Sequence, residues 1–143
     1  MDEHSALIDE AHQVRQALSG GDQTLAMSCL GRLVVHLGRH VRREEAGVFT
    51  ALRDKGEFLD ELAELEAEHR QFDDAISALH ATAPDFVDAV TQLLDDLGEH
   101  VEREDLGIFP VSVMTLGAAG WAVVDRAHTE SPSFLSDPVA ITP

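Results

Sequence analysis

A ten-residue stretch that occurs twice constrains this chain more than any other feature of its sequence. HVRREEAGVF occupies residues 40–49 and HVEREDLGIF occupies residues 100–109, so each residue of the second copy lies 60 positions after its counterpart. Both copies read His-Val-x-Arg-Glu-acid-x-Gly-aliphatic-Phe. A match of this length at a constant offset indicates an internal duplication. The chain is therefore expected to contain two structurally equivalent halves.

In each copy a histidine and a glutamate are four residues apart, His40 with Glu44 and His100 with Glu104. Side chains at this spacing lie on one face of a helix. In both halves, leucines precede the histidine at spacings of three and four residues, so they lie on the same helix face. The histidines and glutamates therefore occupy positions at which core residues are expected. Burying an imidazole or a carboxylate is costly unless the group is paired or bound to a metal. The pattern predicts a partner for these groups inside the fold.

The composition fits one folded domain of 143 residues, of which 44% are hydrophobic. With 27 acidic and 10 basic residues the formal net charge is -17, which disfavours nucleic acid or an anionic membrane as a partner. The single cysteine, Cys29, excludes an internal disulfide and a cysteine-rich metal site, and its apolar surroundings predict a core position. The sequence shows neither a signal peptide nor an apolar run of about 20 residues, so the default expectation is a cytoplasmic protein.

Apolar residues spaced by three and four positions predict four long helices. The first covers residues 3–19, and the second runs from a cap at Asp22 to about residue 54. The third begins at residue 58, and the fourth begins with Pro84 in its first turn and ends near residue 114. This order predicts an all-α fold, an antiparallel up-down-up-down four-helix bundle.

A short fifth helix and a tail are expected after the bundle. Residues 118–127 have a helical pattern, and Trp121 is predicted to dock that helix on the bundle. Residues 131–143 contain three prolines and no helical period, which predicts an extended tail. The expected division is a bundle domain over residues 1–130 and a tail over residues 131–143.

A fainter repeat places one more histidine in each half. A Glu-His pair occurs at residues 3–4 and again at residues 68–69, each ahead of its own copy of the ten-residue stretch. With a rise of about 1.5 Å per residue, the histidines of both pairs reach the level of His40 in antiparallel hairpins. His12, the other candidate on the first helix, would lie roughly 15 Å from that level. His4 is therefore preferred over His12.

Four histidines and two glutamates are too many ligands for one tetrahedral zinc ion. They suit two metal ions that share bridging carboxylates, and mixed nitrogen and oxygen ligation favours iron or manganese, with imidazole richness favouring iron. In this hypothesis Glu44 and Glu104 bridge the two ions, and each histidine binds one ion terminally. The six predicted ligands are His4, His40, Glu44, His69, His100 and Glu104.

Other polar residues near the predicted site are expected at the surface. Three histidines lack the repeat relation and are predicted to be surface or rim residues: His36, His80 and His128. Three acids of the third helix are predicted to form a solvated face: Glu64, Glu66 and Glu68. Arg43 and Arg103 are candidates for ion pairs with neighbouring acids, and surface pairs of that kind contribute little stability.

These motifs resemble the hemerythrin-like proteins with the HHE cation-binding domain. The resemblance covers about residues 3–128 and rests on the two Glu-His pairs, on H-x-x-x-E-E followed by GVF at residue 40, and on H-x-x-x-E-D followed by GIFP at residue 100. It implies a four-helix bundle around a non-haem, oxo- or hydroxo-bridged centre of two iron ions, for which manganese or zinc can substitute. It also implies oxygen binding or sensing, peroxide decomposition, or iron and redox responses.

The chain departs from the oxygen-carrying hemerythrins at two points. Those proteins have a second histidine one turn after the third-helix histidine, and here that place is Asp73. They also take the last carboxylate five residues after the histidine, which matches Asp105, whereas the HHE pattern takes it four residues on, which matches Glu104. Asp73, Asp105 and His12 are therefore less certain ligands. A coordination position left open by the missing histidine favours peroxide turnover slightly over reversible oxygen carriage.

Three functions remain open from the sequence. The site is expected to turn over peroxide, to carry or sense O2 or NO reversibly, or to bind and store iron without catalysis. The expected partners are one of these small ligands and a redox partner, with neither nucleic acid nor membrane. A metal-free interaction bundle is disfavoured because it leaves four histidines and two acids at core positions unexplained.

Overall fold

A computed structural model describes residues 3–136, and every regular element in that range is a helix. Helix α1 spans Glu3–Ser19, and α2 spans Gln23–Glu44. Helix α2 continues through a five-residue π turn, Glu45–Phe49, into α3, Thr50–Lys55. These elements form the first half of the molecule, and α1 packs along α2.

The second half repeats this arrangement. Helix α4 spans Leu59–Ser77, and α5 spans Phe86–Arg103. A second π turn, Glu104–Ile108, leads from α5 into α6, Phe109–Thr115. Both π turns lie within the ten-residue repeat, and such turns are frequent at functional sites. Apolar periodicity did not reveal them, because one extra residue in a turn changes the pattern too little to be seen in so short a stretch.

Local chemistry sets the helix boundaries. The carboxylate of Asp22 accepts a hydrogen bond of 3.0 Å from the backbone N–H of Leu25 and caps α2, as predicted. Gly56 ends α3 in the left-handed conformation with φ of 72°, which glycine adopts without steric cost. The placement of Pro84 in the first turn of a helix is wrong, because α5 begins two residues later, at Phe86, and Pro84 lies in the preceding turn. Proline's fixed φ suits such turns equally well.

Apolar residues form two clusters, and the residues of the predicted site lie between them along the helices. Helix α2 carries Leu37 in the first cluster and then His40, and its continuation through the π turn reaches the second cluster at Phe49. Helix α4 meets the clusters in the reverse order, with Leu65 before His69 and Phe72 after it. The prediction of an all-α helical bundle is confirmed. The up-down-up-down order stays a prediction, which the reversed order along α4 supports.

The fifth predicted helix is present as α7, Ala118–Glu130. It docks through Val124 and Ala127, which are buried, whereas Trp121 is 37% exposed. Trp121 lies at the edge of this packing, where it lines a cavity with Val48 and Phe109, so most of the docking falls to the small and branched residues. In the part of the chain that the structure describes, no helix is long and apolar enough to cross a membrane.

The described part of the predicted tail is not extended. A short 3-10 turn, Phe134–Ser136, follows α7, and Phe134 is buried in the first apolar cluster. Its ring stacks on the imidazole of His36 with centroids 4.3 Å apart. The prediction of an extended conformation is wrong for this turn. It is based on the proline content, which does not show that Phe134 is buried against the bundle. Residues 137–143 lie outside the described residues.

Removing the Phe134 ring tests this docking. We expect Phe134→Ala to lower the free energy of unfolding by about 3 kcal/mol, since it deletes a buried aromatic side chain. Leu135→Ala is the matched control, because Leu135 is 44% exposed and should change stability little. Urea unfolding of both variants followed by circular dichroism provides the measurement. Equal effects of the two substitutions would show that the segment does not pack on the bundle.

Candidate metal centre

Four imidazoles and two carboxylates converge between α1, α2, α4 and the α5 region. They are the six residues singled out from the repeats, and all are buried: His4, His40, Glu44, His69, His100 and Glu104. Their nitrogen and oxygen atoms form two groups, and within each group these atoms lie within 4.8 Å of one another. The first group contains His4 and His40, the second contains His69 and His100, and both glutamates belong to both groups.

The imidazoles of each group approach each other through their Nε2 atoms. The Nε2 atoms of His4 and His40 are 3.1 Å apart, and those of His69 and His100 are 3.2 Å apart. Two ligand atoms bound side by side to one ion at about 2.1 Å lie about 3 Å from each other. The spacing in each group therefore fits two imidazoles on a single metal ion.

The two glutamates are placed to connect the groups. In Glu44, Oε2 lies 2.9 Å from His40 Nε2 and Oε1 lies 3.1 Å from His69 Nε2, so each oxygen faces a different group. In Glu104, Oε1 lies 3.1 Å from His4 Nε2 and 3.3 Å from His100 Nε2. The four carboxylate oxygens are buried and none makes an aligned hydrogen bond. Buried carboxylates without such partners are costly, and metal ions shared by both would satisfy them.

Each of the four imidazoles is oriented by a further carboxylate through its Nδ1 atom. The pairs are His40 with Glu3 at 2.8 Å, His4 with Asp105 at 2.8 Å, His69 with Glu45 at 3.0 Å, and His100 with Glu68. An ionised carboxylate only accepts, so Nδ1 donates its proton and Nε2 faces the group. Histidines that bind metals are typically held in this way. The arrangement fits four imidazoles that present Nε2 as the ligand atom.

These orienting acids follow the duplication. In each half the glutamate of the Glu-His pair, Glu3 or Glu68, accepts from the histidine of the neighbouring repeat copy. The second acid of each copy, Glu45 or Asp105, accepts from a histidine of the other half. The sequence pattern does not assign this role, although both copies of the repeat carry an acid at this position. The assignment of Glu68 to a solvated face is wrong, because its carboxylate turns inward to the histidine.

Two arginines of the repeat hold the orienting carboxylates. Arg43 donates to Glu3 at 2.9 Å, and Arg103 donates to Glu68. In the first half the C-terminal segment adds two more contacts. The hydroxyl of Ser133 donates to Glu3, and Nε of Arg43 donates to the carbonyl of Ser131 at 2.7 Å. These arginines therefore do more than form the surface ion pairs that the sequence suggested.

The less certain ligand candidates lie outside both groups. His12 and Asp73 are exposed, and Asp105 contacts the first group only by accepting from His4. Asp73 lies one turn after His69 but at the edge of the buried face of α4, which runs through Leu65, His69 and Phe72. The structure thus does not bring His12 or Asp73 to the site that the sequence indicated.

The three remaining histidines lie at the surface or its rim, as predicted. His80 and His128 are exposed. His36 is partly buried, with 20% of its side chain exposed, and forms a hydrogen bond with Glu10 through Nδ1 at 2.6 Å.

A cavity of about 320 Å³ reaches the first group from the surface. His4, His40 and Glu44 line its inner end. The histidines of the second group, His69 and His100, are not part of its wall. A small molecule entering this cavity would therefore meet the first group.

The clustered carboxylates change the protonation of the imidazoles in the metal-free protein. Burial alone would lower the pKa of His4, but the close carboxylates of Glu104 and Glu44, together with the hydrogen bond to Asp105, outweigh burial and raise it to about 11. Burial opposes the shift of His40 in the same way, and the hydrogen bond to Glu3 and the close carboxylate of Glu44 raise its pKa to about 9. At neutral pH both imidazoles are protonated, so a metal ion must displace their Nε2 protons.

Comparison with known families agrees with this geometry. The model of the hemerythrin HHE cation binding domain matches residues 1–112 of the 143. The chain belongs to the hemerythrin HHE cation-binding family. HHE domains bind metal cations, commonly iron, and the two buried groups of this domain could hold a metal. No curated protein and no solved structure matches the chain.

Loss of an orienting carboxylate should weaken metal binding by this HHE domain. We expect Glu68→Ala to lower metal affinity by about 10- to 100-fold, because His100 loses the acceptor that fixes its tautomer. Glu64→Ala is the matched control, since Glu64 lies one turn away on α4 and is exposed. Competition with a chromophoric chelator measures both affinities. If the two variants bind metal equally well, the orientation of His100 does not depend on Glu68.

Metal should stabilise the HHE domain more strongly as pH rises. In the metal-free form the pKa values of His4 and His40, about 11 and about 9, lie above the ordinary 6.5. The stability these groups contribute is complete below about pH 6.5 and is lost as pH rises through 9 towards 11. In the loaded form the same imidazoles must stay deprotonated, so metal is lost as pH falls below about 6.

The measurement is the difference in Tm between loaded and metal-free protein across this pH range. We expect the difference to grow with pH. A difference that is constant or shrinks would contradict proton displacement at these histidines.

Proposed function

We propose that this HHE domain binds two iron ions per chain and decomposes peroxide at them. His4 and His40 bind one ion, His69 and His100 bind the other, and Glu44 bridges them together with Glu104. The observation that carries this proposal is that both buried glutamates belong to both groups and that their four oxygens lack aligned hydrogen bonds. Mixed imidazole and carboxylate ligation with open positions favours iron or manganese over zinc, and the four imidazoles favour iron over manganese.

The chain leaves room for an exogenous ligand at each ion. Two imidazoles and two shared carboxylates provide four protein ligands per group, fewer than an octahedral ion accepts. Asp73 is exposed, so it does not replace the histidine that oxygen-carrying hemerythrins have near this place. The cavity that ends at His4 and His40 gives a ligand a route to the first group, and a separate cavity lined by His69 and Asp73 lies beside the second group. These features favour reaction over simple storage.

The decomposition of hydrogen peroxide to water and O2 needs no external reductant. Of two hydrogen peroxide molecules, one is reduced to two molecules of water and the other is oxidised to O2. Two bound iron ions would supply and recover the two electrons that are exchanged. The protein contributes by holding the imidazoles: the carboxylates of Glu3, Glu45, Glu68 and Asp105 accept from each Nδ1 and direct each Nε2 at the position of the metal.

Iron content and peroxide loss test this proposal together. The intact chain should hold about two iron ions, and Glu104→Ala should hold at most one, because the substitution removes a ligand from both groups. Glu102→Ala, an exposed acid on α5, should load like the unaltered chain. The loaded protein should consume hydrogen peroxide and release O2 faster than the same amount of free iron.

Two results would contradict the proposal. Full iron loading of the Glu104→Ala variant would exclude a shared site. A visible absorption band that forms with O2 and bleaches when O2 is removed, without peroxide loss above that of free iron, would favour reversible O2 or NO binding instead.

A further inference from the structure

The cavity beside the first group is larger than hydrogen peroxide requires. A water molecule occupies about 30 Å³ of liquid volume, and a peroxide molecule with two oxygens needs roughly twice that. The cavity measures about 320 Å³, which lies in the range of pockets that bind organic ligands, about 300–1,000 Å³. Its size suggests a ligand with a carbon skeleton.

The wall of the cavity presents mainly hydrocarbon. Val48 and Phe109 come from the two copies of the repeat, Val113 comes from α6, and Trp121 comes from α7. Of the polar residues in the wall, Ser112 donates to a backbone carbonyl at 2.8 Å. An apolar ligand could therefore enter without leaving this hydroxyl unpaired.

Arg43 lines the cavity, but its guanidinium already has partners in the protein. It donates to Glu3 and to the carbonyl of Ser131. An anionic ligand would have to compete for this guanidinium with a carboxylate at 2.9 Å. The cavity therefore favours a neutral ligand.

The two ends of the cavity differ in chemistry. At the inner end lie the imidazoles of His4 and His40 and the carboxylate of Glu44. At the outer end Val113 is 66% exposed and Trp121 is 37% exposed. A matching ligand has a small oxygen-containing end that points inward and an apolar end that points towards the surface.

We propose that this cavity binds the hydrocarbon part of an organic hydroperoxide, ROOH, with its peroxide end at the first group. The proposal rests on the peroxide chemistry proposed above and names its substrate class. Reduction of ROOH breaks the O–O bond and gives ROH and water, with two protons taken from water. Two bound ferrous ions would supply the two electrons, and an external one-electron donor protein must return both ions to the ferrous state.

Binding of linear alcohols to the full chain tests the cavity without relying on turnover. The alcohols from 1-propanol to 1-octanol resemble the product ROH, and Trp121, the single tryptophan of the chain, reports their binding by fluorescence. We expect the dissociation constant to fall about fourfold with each added methylene, as apolar burial predicts, until the alcohol outgrows the cavity. Both metal-loaded and metal-free protein should show this series.

Two neighbouring substitutions locate the binding. Val113→Asp places a charge in the cavity wall and should weaken 1-hexanol binding about tenfold or more. Met114→Asp is the matched control, because Met114 is 89% exposed and does not line the cavity, and it should bind 1-hexanol like the unaltered chain. In the loaded protein kcat/KM should be higher for alkyl hydroperoxides than for hydrogen peroxide.

The outcomes separate the two proposals. An affinity that does not change along the alcohol series, or equal effects of the two substitutions, would overturn the hydroperoxide site. Hydrogen peroxide loss above that of free iron would leave the proposed function standing in that case. Alcohol binding without loss of any peroxide would overturn both the proposed turnover and the hydroperoxide as ligand.

Discussion

Burial of Glu44 and Glu104 among four imidazoles is the constraint on which the rest of this structure depends. Both side chains lie at 5% exposure or less, and their oxygens have no aligned hydrogen bond. Two carboxylates this close inside a bundle repel each other and lose hydration, so positive charge must lie between them. Protonated imidazoles supply it in the metal-free protein, and metal ions bound at the Nε2 atoms would supply it in the loaded protein. The four helices place their histidines where they can provide this positive charge.

Successive layers of charge surround the two glutamates. Imidazoles face them, carboxylates such as Glu3 hold the imidazoles, and Arg43 holds that carboxylate in turn. Each layer carries a charge opposite to that of the layer inside it. The attraction between neighbouring layers offsets part of the desolvation free energy that burying one charged layer alone would require. Each layer also restricts the rotation of the one inside it. A histidine held at Nδ1 has one tautomer and one orientation, and this prepares Nε2 for a metal before the metal arrives.

The duplication makes the two groups alike, whereas the C-terminal elements make their surroundings different. Helix α7 packs on the first π turn, where a Cβ at Gly47 would lie 3.6 Å from Ala127. At Gly107, the equivalent position in the second copy, a Cβ would meet nothing within 4 Å in the described part of the chain. The segment around Ser133 likewise contacts the first half, where the hydroxyl of Ser133 donates to Glu3. Similar ligand sets therefore meet different cavities: His4 and His40 line one of about 320 Å³, and His69 lines another of about 510 Å³.

The sequence by itself determined the duplication, the helices and the burial of the six central residues. Helical spacing is a local property, so His40 and Glu44 had to share a face, and the Glu-His pairs placed His4 and His69 near the same level. Only the tertiary structure decided which acids orient the histidines, because Glu3 and His40 lie 37 positions apart and meet only when α1 packs on α2. The inward turn of Glu68, the outward turn of Asp73 and the docking of Phe134 were decided there too. The orientations of Glu68 and Asp73 depend on small rotations of α4, and the docking of Phe134 depends on contact between distant segments. A local pattern of residues encodes neither helix rotation nor distant contact.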